Sequence, residues 1–133
     1  GDSLYRRFLH WYLKDDGTIS SSAFMSRKKP DPELSVDLAR LTTPEKTRAS
    51  HLDMGVAEIA ASVPLDMGLT VKHAPEHDNY AHCLIMGLKT KTQCRMLAEK
   101  ASMVEALCDV NGLLIGLLDA LARSAKSGKE VRL

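Results

Sequence analysis

This chain of 133 residues has few aromatic residues and a small net charge. Only 5% of the residues are aromatic, so a core must be built mostly from aliphatic side chains. The 18 lysines and arginines nearly balance the 17 aspartates and glutamates, which leaves a formal net charge of +1. That balance argues against a polybasic nucleic-acid arm and against an acidic tail. The hydrophobic fraction of 44% is nonetheless ordinary for a single globular domain.

Long apolar runs and paired cysteines are also missing. The longest apolar run, 112–118, contains two glycines and is far shorter than a membrane-spanning helix, which needs about 20 residues. The first residues show no basic segment followed by an apolar stretch, so we expect no secretory signal. The three cysteines have no close paired spacing, which argues against a disulfide framework. We therefore expect a cytoplasmic protein with no membrane contact.

Local patterns predict both strands and helices. Alternation of apolar with polar residues predicts strands at 34–38, 69–72 and 82–86. Apolar residues three and four apart predict helices at 43–50, 89–101 and 113–125. The first of these helices has Thr43 as its predicted N-cap and Pro44 at the first helical position.

Three apolar segments fit more than one structure. The apolar spacing of residues 4–13 suits a helix, although an aromatic-rich run also suits a strand. Residues 55–63 fit either element, and residues 19–24 read as a short strand or a loop. We predict an α+β fold with a small, mainly antiparallel or mixed sheet and helices packed on one face. Residues 1–110 would form this core, and 111–133 an apolar C-terminal helix packed on the core or on a partner.

Histidines supply the candidate metal ligands, which are His73, His77 and His82. The segment from His73 to His77 matches the H-x-x-E-H string of one zinc peptidase class. That chemistry needs both histidines on one helical face, and Pro75 between them would break the helix. A solvated loop beside a packed His82 is the simpler interpretation, so we expect no metal and no other cofactor.

Basic residues supply the candidate anion-binding groups, which are Arg7, Lys89, Lys91 and Arg95. Lys91 and Arg95 would lie one turn apart at the start of a helix, where free N–H groups favour phosphate. Arg7 lies among the N-terminal aromatic residues, where charge and stacking would suit nucleic acid. The alternative interpretations are a capped surface helix with solvated cations, and an arginine at the edge of a core that contains the N-terminal aromatic residues.

The candidate catalytic residues are His82, Asp37 and Ser22. Ser22 lies in a run of three serines without the G-x-S-x-G context of a nucleophile elbow. A serine nucleophile also needs a neighbouring base, which only an unknown contact in the fold would supply. Asp37 follows Val36 on a predicted strand and would either serve a site or face water. The sequence thus contains no complete catalytic constellation.

Several segments, taken in order, carry a resemblance to a protein group. They are LYRR at 4–7, ISSSAF at 19–24, LSVD at 34–37, NYAH at 79–82 and KTK at 89–91, followed by Arg95 and Leu97-Ala98. In this order the chain resembles a group of small uncharacterised bacterial proteins over about residues 4–104. The resemblance implies a cytoplasmic bacterial protein, encoded beside mobile-element or defence genes, and brings no established activity. It marks seven residues for testing: Arg7, Ser22, Phe24, Asp37, His82, Lys89 and Arg95.

Two functional hypotheses follow from these observations. The first is a non-catalytic interaction or accessory module of a bacterial multi-gene system, with a protein partner or a second copy bound by the C-terminal helix. The second is a protein or enzyme that binds the phosphate of a nucleotide or nucleic acid in a basic pocket. In that second hypothesis His82 acts as general acid or base.

Overall fold

The computed structural model describes residues 1–49 and 51–105 as an α+β fold built on one antiparallel sheet. The strands are β1 (Ser3–Leu9), β2 (Glu33–Leu38), β3 (Met54–Ala60), β4 (Thr70–His73), β5 (His82–Met86) and β6 (Ser102–Glu105). The α-helices are α1 (Pro44–Arg48), α2 (Ser62–Asp66) and α3 (Lys91–Lys100). Short 3-10 turns are formed by His10–Tyr12, Ser21–Phe24 and Ala39–Leu41. The strand order β4-β5-β2-β1-β3-β6 places β2 and β1 at the centre.

One face of the sheet carries the hydrophobic core. Strand alternation directs Leu4 and Phe8 of β1 to this face, together with Ile59 of β3, which is paired with Leu4. Helix α3 covers the face with its buried stripe of Cys94, Leu97 and Ala98. The 3-10 turn Ser21–Phe24 packs beside α3 and buries Phe24 completely.

The opposite face, which we call the open face, carries polar side chains from the three neighbouring strands β5, β2 and β1. Register pairs Tyr5 with Asp37 across β1 and β2, and Asp37 with His82 across β2 and β5. Because side chains two residues apart share a face, Arg7 and Ser35 project to the same side. Helix α1 lies over this face, so the helices of the described residues occupy both sides of the sheet.

The ladder between β1 and β2 opens after two residue pairs. Only Leu4 with Leu38 and Tyr5 with Asp37 are paired. Beyond them the Arg6 guanidinium occupies the gap and donates hydrogen bonds to three backbone carbonyls, those of Ala23, Met25 and Ser35, at 2.9 to 3.1 Å. Burial lowers the pKa of Arg6 to about 10.

Several predicted elements are confirmed with their local causes. Strand β5 covers 82–86 as the alternation predicts. Helix α1 begins at Pro44, and the Thr43 side chain accepts a hydrogen bond from the Lys46 N–H. Helix α3 begins after Thr90, which forms a capping box with Gln93. The helix predicted at 113–125 and the segment 111–133 lie outside the described residues.

The helix prediction for residues 4–13 is wrong. This segment forms β1 followed by the 3-10 turn His10–Tyr12. Strand β1 pairs with β3 along its whole length, and these long-range hydrogen bonds override a local spacing that fits both periods. Of residues 19–24, Ile19 forms an isolated bridge with Leu13 and Ser21–Phe24 form a 3-10 turn, in which the Ser20 hydroxyl accepts from the Ser22 N–H. Within the described residues, no helix has the length and apolarity needed to cross a membrane.

Candidate functional site

A pocket of about 270 Å³ opens on the open face between the central strands and the loop that joins β4 to β5. Strand β1 contributes Arg7 to its lining, and helix α1 contributes Thr47. Strand β1 also contributes Tyr5, and β2, β5 and the loop contribute further polar groups, which are Ser35, Asp37, Glu76, Asn79 and His82. Arg6 and Val36 also line the pocket, because the open ladder exposes the gap between their strands.

The His82 imidazole is fixed by hydrogen bonds at both nitrogens. Its Nδ1 lies 2.7 Å from the Ala74 carbonyl oxygen, which only accepts hydrogen bonds, so Nδ1 carries a proton. In the neutral ring Nε2 is then an acceptor, and it lies 3.2 Å from the Ser35 Oγ. The Ser35 hydroxyl therefore donates to Nε2. This arrangement places a hydroxyl beside a base that a third group orients.

The Asp37 carboxylate is buried and ties the pocket walls together. One oxygen accepts from the Thr47 hydroxyl of α1 at 2.8 Å, and the other accepts from the Asn79 side-chain amide at 2.8 Å. The Asn79 side-chain oxygen in turn accepts from the Ala81 N–H. Both Asp37 oxygens are thus engaged by neutral donors, so this carboxylate positions its neighbours.

Arg7 presents the exposed cation of the pocket. One of its Nη1 hydrogens is donated to the Thr47 carbonyl at 3.0 Å, which fixes the guanidinium against α1. Within the described part of the chain its other N–H groups have no hydrogen-bond partner, so they are available to a ligand. The Arg6 guanidinium lies in the adjoining gap and adds a second positive charge.

The loop 74–81 brings a second carboxylate to the pocket. Glu76 and Asn79 exchange backbone hydrogen bonds across a tight turn. This turn places a Glu76 carboxylate oxygen 3.6 Å from His82 Nε2. The Glu76 side chain is 58% exposed and that of His82 only 13%, so the carboxylate lies at the mouth and the imidazole inside.

The structure brings some of the sequence candidates together and separates others. Arg7, Asp37 and His82 converge in the pocket. Lys89, Lys91 and Arg95 belong to the start of α3, on the opposite side of the sheet. Arg95 lies near Glu99 at 3.6 Å and lines a second cavity.

The proposed anion site at the start of α3 is partly occupied by the protein itself. The N–H groups of Lys89 and Thr90 both donate to the Gln93 side-chain oxygen, at 2.8 and 3.1 Å. The Gln93 N–H donates to the Thr90 hydroxyl at 3.1 Å. Lys89 and Lys91 are exposed, as expected for solvated cations on a capped helix.

Ser35, and not Ser22, is the serine that the structure places beside His82. Ser22 lies in the 3-10 turn beside α3, away from His82 and the open face. Ser35, which sequence reasoning missed, meets His82 directly. The available signal was its position two residues before Asp37 on an alternating strand, which puts both side chains on one face.

The three histidines do not assemble into a metal site. His73 ends β4, and its Nε2 donates to the Tyr80 carbonyl at 2.7 Å. His77 lies in the exposed turn between Glu76 and Asn79. Across residues 1–49 and 51–105 no group of three or more histidines, cysteines, aspartates and glutamates could hold a metal ion.

Cys83 and Cys94 are buried and unpaired in the core. Burial raises the pKa of both thiols, and the negative charge of Asp37 raises that of Cys83 further. Both cysteines are therefore poor nucleophiles in the folded protein. The third cysteine, Cys108, lies outside the described residues.

Comparison with known proteins adds no functional information: no family model, curated protein or solved structure matches the chain. The bacterial resemblance therefore stays a prediction. The geometry of the site combines an available guanidinium with a base of fixed tautomer, which suits anion binding and proton transfer.

Proposed function

We propose that the pocket binds a phosphate group of a nucleotide or nucleic acid, and that His82 transfers a proton to or from the bound ligand. The observation that carries this proposal is the convergence of Arg7 and His82, from β1 and β5, in one pocket. A guanidinium offers a planar fork of N–H donors that matches two phosphate oxygens. Arg7 is held by Thr47 at one nitrogen only, which leaves such a fork available.

The surroundings of Arg7 strengthen its attraction for an anion. Arg6 forms no salt bridge with a carboxylate of the described residues, so its charge is offset only by carbonyl dipoles and by more distant groups such as Asp31. A cation in a partly desolvated place acts on its neighbours over a longer range than one in bulk water. An anion bound at Arg7 would gain from both charges.

The test is titration of the folded protein with nucleoside monophosphates, a cyclic nucleotide and a short single-stranded oligonucleotide, at low salt. Binding is followed by thermal shift and by chemical-shift changes. We expect binding by the wild type, at least a tenfold weaker affinity in Arg7→Ala, and weaker binding as salt rises.

Arg95→Ala is the matched control, because it removes an exposed arginine from the other side of the sheet. It should leave the affinity unchanged. Equal affinity in Arg7→Ala and wild type, or no response to any of the phosphates, would refute the proposal.

The interaction-module hypothesis depends on the leucine-rich segment 113–125, which lies outside the described residues. It stays a prediction that a protein partner or a second copy binds this segment. The pocket supports the phosphate-binding proposal more directly, because Arg7, Asp37 and His82 converge in the described part of the chain.

A further inference from the structure

The pairing of Ser35 with His82 goes beyond binding. We propose that Ser35 is a nucleophile toward phosphodiesters and that His82 is its general base. The proposal rests on the phosphate-binding function and names the reaction of that same site. Its basis is the 3.2 Å contact between Ser35 Oγ and His82 Nε2, with Nδ1 anchored 2.7 Å from the Ala74 carbonyl.

The anchoring carbonyl determines what His82 is able to do. Because Nδ1–H is committed to Ala74, the lone pair of the neutral ring lies on Nε2, directed at the Ser35 hydroxyl. A serine hydroxyl is a weak nucleophile until an adjacent base removes its proton. When His82 takes this proton, the imidazolium that forms is stabilised by the Ala74 carbonyl and by the Glu76 carboxylate at 3.6 Å.

Ser35 is also placed for attack. Its hydroxyl is exposed in the pocket, whereas its backbone carbonyl is held at 2.9 Å by the Arg6 guanidinium. The carbonyl contact fixes the strand that carries the nucleophile. Arg7 lines the same pocket and supplies N–H donors for the charge that develops on the phosphoryl oxygens.

The charges of the pocket select a diester over a monoester. Arg7 is the exposed cation, and the carboxylates of Asp37 and Glu76 stand nearby. The two carboxylates offset the charges of Arg7 and Arg6, so the single negative charge of a phosphodiester meets little repulsion in the pocket. The dianion of a monoester would bring a second charge toward two carboxylates, which costs binding energy.

The reaction proceeds by phosphoryl transfer. A bond forms between Ser35 Oγ and phosphorus while the bond from phosphorus to the leaving oxygen breaks. His82 takes the serine proton and gives it to the leaving alkoxide, which departs as an alcohol. Water, deprotonated by His82, then attacks phosphorus and breaks the serine–phosphorus bond, and His82 returns the proton to Ser35 Oγ, which regenerates the hydroxyl. The net change is hydrolysis of a phosphodiester to a phosphomonoester and an alcohol.

The test uses a fluorophosphonate, a phosphorus electrophile that releases fluoride as its leaving group when a serine hydroxyl attacks it. The full-length protein is treated with the probe, and adducts are followed by intact mass and peptide mapping. We expect one adduct, located on Ser35. It should be absent in Ser35→Ala and unchanged in the matched control Ser22→Ala.

His82→Asn separates the base from the structure. An asparagine amide retains a donor close to the position of Nδ1, for the Ala74 carbonyl, and lacks the acceptor at Nε2. We expect labelling at least tenfold slower in this variant. Dimethyl phosphate should protect the wild type from labelling, and Arg7→Ala should lose that protection. If His82→Asn does not fold, the Ser35→Ala comparison and the protection experiment still decide.

The outcomes distinguish this proposal from the one it rests on. Labelling spread over several serines, or equal rates in wild type and folded His82→Asn, would overturn the nucleophile assignment. Absence of an adduct while Arg7-dependent phosphate binding persists would overturn it too, and would leave the binding function standing. Absence of both adduct and phosphate binding would remove both proposals.

Discussion

Replacing Arg6 by methionine tests whether a guanidinium holds the open ladder between β1 and β2. Three backbone carbonyls accept hydrogen bonds from Arg6, and methionine offers them no donor. Hydrogen bonds from a charged donor contribute about 1.5–3 kcal/mol each, so their loss costs about 5–9 kcal/mol before any offset.

The offset comes from the desolvation of the guanidinium itself. Burial lowers the pKa of Arg6 to about 10, which corresponds to about 3 kcal/mol against the charged form relative to a solvated arginine. Methionine relieves this cost and fills part of the same volume. The expected net loss is therefore about 2–6 kcal/mol in the free energy of unfolding, a large share of a small domain's stability.

Urea denaturation followed by circular dichroism measures this loss, with the denaturant slope as a check on two-state behaviour. Arg40→Met is the control, because Arg40 is exposed and makes one ion pair, with Asp2 at 3.0 Å. Such pairs contribute about 0–1 kcal/mol. A loss in Arg6→Met no larger than the loss in Arg40→Met would refute the structural role given to Arg6.

Three further predictions concern the pocket wall, the core and the C-terminal segment. Asp37→Asn replaces one carboxylate oxygen by an NH2 group that faces the donors of Thr47 and Asn79, so it should lower the free energy of unfolding by about 1–3 kcal/mol and loosen Asn79. Urea denaturation measures this loss, and unchanged stability would contradict the hydrogen-bond network. Burial raises the pKa of the Cys83 and Cys94 thiols. Above pH 9, the ordinary thiol value, the unfolded chain therefore loses these protons before the folded protein does, and the stability that the neutral buried thiols contribute at neutral pH is lost. The free energy of unfolding should therefore fall as pH rises above 9, and less steeply in Cys94→Ala; a flat profile would contradict this. Removal of residues 112–133 should abolish self-association or partner capture, measured by light scattering and pull-down, if the interaction-module hypothesis holds; an unchanged state would reject it.

The parts of the fold that sequence reasoning predicts are those with local causes. The caps at Thr43 and Thr90 lie within three residues of the N–H groups they satisfy. The alternation in β2 and β5 reflects one buried face. Strand β1 is different, because the residues that decide its conformation are its partners on β3, about 50 positions away, as in the pair Leu4 and Ile59.

The site follows the same division. The types and faces of Arg7, Asp37 and His82 are readable from the chain, whereas their meeting depends on the register of three strands. The contact of Ser35 with His82 joins residues 47 positions apart and has no local signature. The basic residues of α3 appeared equivalent to Arg7 in sequence, yet packing of α3 on the core side removes them from the pocket.

Strand alternation directs the side chains of the adjacent residues Arg6 and Arg7 to opposite faces of the sheet, where they have different roles. Arg6 is partly buried and serves backbone carbonyls, whereas Arg7 is exposed on the open face and holds one carbonyl at 3.0 Å. Arg7→Met should therefore lower the free energy of unfolding by about 1.5–3 kcal/mol before any offset, about a third of the corresponding loss in Arg6→Met, because one hydrogen bond from a charged donor is lost instead of three. The same change should reduce phosphate affinity at least tenfold. Urea denaturation and phosphate titration of Arg7→Met and Arg6→Met measure both effects. A loss of stability in Arg7→Met as large as that in Arg6→Met would show that the two cations share one structural role.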